Sequence, residues 1–146
     1  MSTAAAVKPS LTIRRRFKAA PARVFAAWTE PAQIARWFGP GGTKVLDAEF
    51  ELRVGGRFMV HGVSPSGEDH RVSGTVQEVV PGRKVAYSWA WQSTPERQSL
   101  VTVEFAPDGD GTVLTLTHEQ FFDEGARDRH NTGWTAALEQ LAAYLA

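Results

Sequence analysis

Cysteine is missing from this chain of 146 residues. Its absence excludes disulfides, thiolate nucleophiles and cysteine-based metal centres, and nothing in the sequence calls for an oxidising compartment. A charge excess is missing as well: 16 Lys and Arg balance 16 Asp and Glu. The basic surplus of a nucleic-acid binder is therefore not expected. No apolar run approaches the roughly 18 residues that a membrane span needs. The opening MSTAAAVKPS lacks the charged and apolar regions of a signal peptide. Histidine occurs at His61, His70, His118 and His130 without H-x-x-x-H or H-E-x-x-H spacing, so no metal is expected. Neither glycine-rich stretch, GPGG or RVGGRF, follows a phosphate-loop pattern. These absences suggest one cytoplasmic domain over residues 1–146, with residues 1–10 as a flexible tail, no cofactor and no membrane partner.

Aromatic residues, by contrast, are plentiful: five Trp and eight Phe. Their placement follows two periods. LTIRRRFKA (Leu11–Ala19) alternates like a strand, with Ile13, Arg15 and Phe17 on one face. Pro21 and Pro31 each suit the first turn of a short helix. The first helix carries Val24, Phe25 and Trp28 as its apolar stripe, and the second carries Ile34, Trp37 and Phe38. Period two then takes over, giving strands over KVLDAEFELRV, RFMVHGV, HRVSGTVQEVV, KVAYSWAWQ, SLVTVEFA and TVLTLTHEQ, separated by turn residues. From about Asp123 the period returns to helical, with Trp134, Leu138, Leu141 and Leu145 on one stripe. The fold class is therefore α+β, in the order β-α-α-β6-α. About seven antiparallel strands must twist and curl, and only the C-terminal helix is long enough to cover the concave face.

That face is the candidate site. Tyr87, Trp89 and Trp91 share it with Phe58, Val60, Val103, Phe105, Leu114 and Leu116 from other strands. Such a set either packs as an ordinary core or lines a pocket for an apolar or aromatic ligand. His118 ends one strand on this face, and His130 starts the covering helix one turn before Trp134. The pair either ties helix to sheet or offers a ligand hydrogen bonds and acid–base chemistry; no nucleophile or orienting carboxylate accompanies it by spacing. Gly133 lies inside the helix, where Gly costs about 1 kcal/mol relative to Ala; it would let the backbone approach a neighbour. Arg15 either anchors an anionic group or pairs with an acid at the strand end.

RRFKAAPARVFAAWTEPAQIARWFGP, LRVGGRFMV and HNTGWTAALEQLAAYL, standing in this order, are similar to the activator-of-HSP-90-ATPase-homologue-like family. This family belongs to the START-related, birch-pollen-allergen-like helix-grip superfamily, also called SRPBCC. The resemblance implies a helix-grip fold: a curved antiparallel seven-stranded sheet wrapped around a long C-terminal helix, with an internal cavity. Chaperone activation does not follow from it, because the co-chaperones that name the family carry a second, chaperone-binding domain. The leading expectation is a small-molecule binding protein without catalytic residues. Its hydrophobic or aromatic ligand would contact Trp37, Phe38, Phe58, Val60, Tyr87, Trp89, Trp91, Val103, Phe105, Leu116, His118, His130, Trp134 and Leu138, with Trp37 and Phe38 closing the mouth. The alternatives are a cyclase or hydrolase using His118 or His130 as base, and an interaction module resembling a chaperone cofactor.

Overall fold

Proline sets the first boundaries. In the computed structural model, which describes residues 8–39 and 42–146, strand β1 (Leu11–Phe17) leads into helix α1 (Pro21–Thr29), and α2 (Pro31–Trp37) follows after one residue. Each helix opens on a proline, whose missing N–H would have had no helical partner there. Six strands then run in succession: β2 (Lys44–Phe50), β3 (Arg57–Val63), β4 (Asp69–Val80), β5 (Lys84–Trp91), β6 (Ser99–Asp108) and β7 (Gly111–Glu119). Helix α3 (Glu124–Leu145) ends the chain, and the Asp123 side chain caps it by accepting from the Ala126 N–H at 2.8 Å.

The seven strands form a single antiparallel sheet in the order β1-β7-β6-β5-β4-β3-β2. Strands β2 to β7 pair in sequence, and β1 returns to the far edge with Leu11 opposite His118. This is the sheet the sequence leads one to expect. Of the suggested flexible tail, residues 1–7 lie outside the described residues, while the Pro9 carbonyl accepts from the Phe121 N–H at 3.1 Å. Pro40 and Gly41, part of the expected helix stop, also lie outside them.

One strand is shorter than expected. The alternation of KVLDAEFELRV continues to Val54, but β2 stops at Phe50. The Glu51 carboxylate accepts from the Arg57 N–H at 2.9 Å, and the Glu51 carbonyl accepts from the Arg53 N–H at 2.8 Å. These local bonds close a loop in place of ladder bonds. Gly55, at φ +84°, completes the turn, and Leu52 and Val54 are left exposed.

The inner face of the sheet, α1, α2 and the Trp134, Ala137, Leu138, Leu141 and Leu145 stripe of α3 bury one continuous core. Its aromatic rings meet edge to face or stacked: Phe25 on Phe105 at 5.3 Å, Phe50 on Tyr87 at 5.2 Å, and Trp28 on Trp134 at 5.7 Å. Most of the sheet's concavity is therefore filled with side chains.

Candidate functional site: an indole-walled pocket at the open end of the sheet

Alternation along β5 places Val85, Tyr87, Trp89 and Trp91 on the concave face. Burial fades along this row. Tyr87 and Trp89 are buried, whereas Trp91 is only partly covered. Packing ends there, and a pocket of about 310 Å³ opens between β3, β4, β5, α3 and the segment after α2. Trp89 and Trp91 wall it from β5, Val60 and Gly62 from β3, and His70 and Val72 from β4. Phe38, Gly39 and Thr43 contribute from the segment following α2. Helix α3 supplies Arg129, His130, Gly133, Trp134 and Ala137.

Gly133 does not serve a close backbone approach. A Cβ built there meets nothing within 4 Å, and the residue borders the pocket. The missing side chain leaves space rather than relieving contact.

The two histidines hold the indole walls in place. His118 is fully buried. Its Nδ1 accepts from Trp134 Nε1–H at 2.9 Å, so the ring proton sits on Nε2. That Nε2–H donates to Ser99 Oγ at 2.7 Å, and the Ser99 hydroxyl donates onward to the Trp89 carbonyl at 3.2 Å. His130 has the opposite tautomer. Its Nδ1–H donates to the Ala126 carbonyl at 2.7 Å, while Nε2 accepts from both Trp91 Nε1–H at 2.9 Å and Trp89 Nε1–H at 3.3 Å. Three indole N–H groups thus end on two neutral imidazoles whose ring centres lie 5.0 Å apart. Burial opposes protonation of both. It pushes His118 down to about 2, with the neighbouring His130 adding to the effect. Burial also lowers His130 and the charge of Arg129 adds to this, partly offset by the bond to Ala126.

Ser99 beside His118 is a neighbour that spacing did not reveal. The polarity is wrong for a nucleophile, because the imidazole donates to the serine oxygen and the hydroxyl proton points to a carbonyl.

Of the residues expected at a site, Phe38, Val60, Trp89, Trp91, His130 and Trp134 come together on the pocket wall. The others do not border it. Trp37 does not close a mouth: it is buried against Trp28 at 4.8 Å and donates Nε1–H to the Ala27 carbonyl at 2.9 Å. Tyr87 accepts from Trp28 Nε1–H at 3.1 Å, and burial raises its pKa despite that bond. Phe58 stacks on Trp89 at 5.8 Å and packs on Tyr87 at 4.5 Å. Val103, Phe105, Leu116 and Leu138 are core residues, as is Leu114 from the same expected face. His118 stands behind Trp134 and Trp89 and positions them. Arg15 pairs with Glu139 at 2.6 Å at the sheet edge and does not border the pocket.

Sequence reading missed Gly39, Thr43, Gly62, Val72, Arg129 and Ala137 as wall residues, weighed His70 only as a metal ligand, and gave Gly133 a close-approach role. Some were within reach of it. His130, Gly133, Trp134 and Ala137 follow i, i+3, i+4, i+7 spacing, and Gly62 continues the face of Val60. Gly62, Gly133 and Ala137 lack bulk, which is why an apolar pattern passes over them. Gln140 was also missed; its side-chain amide donates to the Trp37 carbonyl at 3.0 Å and to the Gly39 carbonyl, tying the segment after α2 to α3.

A protein-family model described as Activator of Hsp90 ATPase homolog 1-like protein matches residues 18–146. Among solved structures, an AHSA1 protein from Silicibacter pomeroyi is 31% identical, with TM-score 0.84, over 94% of this chain and 97% of its own. A protein from Chromobacterium violaceum is 29% identical, with TM-score 0.82, over 93% and 96%. CalU16 from Micromonospora echinospora is 30% identical, with TM-score 0.74, over 94% and 76%. No curated protein matches the sequence.

Proposed function

This chain belongs to the Activator of Hsp90 ATPase homolog 1-like family, and from that premise we propose that it binds a small apolar or aromatic molecule in the indole-walled pocket. The observation that carries this reading is the space at Gly133. A 22-residue helix keeps a glycine in its interior, next to a buried Trp, where no neighbour needs the room. Helix propensity and packing would both favour a larger residue, so occupancy by a ligand is the use that fits the vacancy.

Binding fits the histidines better than catalysis does. A general base needs a free lone pair within reach of a substrate. The acceptor nitrogen of each imidazole already receives at least one indole N–H. Their service is to fix three indole planes before a ligand arrives, which reduces the ordering cost of binding. The family's co-chaperone name carries no residue-level support here, and a cytoplasmic location belongs to the same proposal.

The test is a thermal-shift and tryptophan-fluorescence screen with planar aromatic and short-chain apolar compounds. A ligand at 100 times its Kd should stabilise the fold by about 2.7 kcal/mol. Gly133→Leu, which places four carbons in the pocket, should abolish the shift while the variant stays folded. A hit that Gly133→Leu binds unchanged would remove the ligand from this pocket.

A further inference from the structure

The polar groups on the pocket wall differ in how they are used. His130 is spent on the indoles and on Ala126. The side chains of Thr43, His70 and Arg129 make no hydrogen bond or ion pair with another group among the described residues, and all three border the pocket. Arg129 shares this with several surface cations, whereas Arg15, Arg16, Arg53, Arg57, Lys84 and Arg127 each have a carboxylate within 4.0 Å; what distinguishes Arg129 is its place on the pocket wall. Among the described residues, no Asp or Glu lines the pocket. Its uncommitted groups are thus a hydroxyl, an imidazole and a guanidinium, all able to donate. His70 lies edge-on to Trp91 at 6.2 Å, and Arg129 precedes His130, whose ring lies 5.9 Å from the same indole. An apolar floor therefore meets a donor-bearing, cationic rim.

Resting on the pocket reading above, we propose that the ligand is an organic anion: a flat apolar body against Trp89, Trp91 and Trp134, and a carboxylate or similar group held at the rim by Arg129 and His70. A neutral body of the same shape gains only the floor. A cation would meet Arg129 with no acid to offset it. A guanidinium suits the planar, two-oxygen geometry of a carboxylate.

Two fluorescent probes with one body separate these contributions. 1-Anilinonaphthalene-8-sulfonate carries an anionic group, and N-phenyl-1-naphthylamine is the same ring system without it. Both should bind the wild-type protein and quench its tryptophans, and the sulfonate should bind more tightly. Arg129→Gln should weaken the sulfonate by about two- to fivefold, the usual size for a solvent-facing ion pair, and leave the neutral probe unchanged. His70→Gln should have a smaller effect in the same direction. The sulfonate's advantage should also shrink as salt rises. Arg14→Gln, on the exposed side of β1, controls for non-specific attraction and should leave both affinities unchanged. Equal affinities for the two probes, or an Arg129→Gln variant that loses nothing, would overturn the anion assignment while leaving the pocket intact. Failure of both probes to bind, or binding that Gly133→Leu does not disturb, would overturn the pocket reading itself.

Discussion

At the scale of single residues, burial decides what a polar contact is worth. Arg15 and Glu139 make the shortest ion pair, at 2.6 Å, but Glu139 is 67% exposed and Arg15 29%. Removing it with Arg15→Gln should cost less than about 1 kcal/mol. The bond from Trp134 to His118 is longer, yet it lies in the core. His118→Leu strands the Trp134 N–H where no water reaches, and an unpaired buried donor costs about 1–3 kcal/mol. Urea unfolding of both variants checks the order. If Arg15→Gln destabilised the protein more than His118→Leu, the histidine would not be holding the indole.

At the scale of elements, helix α3 carries a conflict between stability and space. Gly133→Ala should raise the unfolding free energy by up to about 1 kcal/mol, because its methyl meets nothing within 4 Å. The same methyl narrows the pocket, so the melting temperature should rise while ligand affinity falls. A variant that gained stability without losing affinity would show that the vacancy is not used by the ligand. Elements are also where sequence reading succeeded and failed. The strands β3 to β7 and the helix stripe were legible because burial imposes periods of 2 and 3.6 on apolar residues. The end of β2 was not, since Leu52 and Val54 continue the alternation while the Glu51 carboxylate turns the chain. Within the site, Trp89, Trp91, His130 and Trp134 were legible as large residues on converging faces. Their neighbours Tyr87, Phe58 and Phe105 follow the same pattern and are core. Whether a row of aromatics is filled or open depends on what the facing element puts opposite, and at Gly133 and Ala137 that is a small residue.

For the whole molecule, the buried imidazoles couple the fold to pH. In the unfolded chain a histidine takes up its proton near pH 6.5. In the folded protein burial holds His118 down to about 2 and lowers His130 as well. Below pH 6.5 the unfolded state therefore binds more protons than the folded one, and stability must fall as the pH falls. The stabilisation is fully present above pH 6.5 and for His118 is spent progressively on the way down to about 2. Asp110, held low by Arg16, and Glu51, held low first by the Arg57 N–H, act in the same direction. They do so only in the carboxylate range, near pH 4 and below. Between pH 6.5 and 5 the histidines are the dominant source of the slope, at about 1.4 kcal/mol per pH unit for each proton excluded. His118→Gln can accept from Trp134 and donate to Ser99 without titrating, so it should remove about one proton's worth of that slope. Urea unfolding at pH 7.5, 6.0 and 5.0 measures it. An unchanged slope in His118→Gln would mean that His118 can be protonated without leaving its place between Trp134 and Ser99.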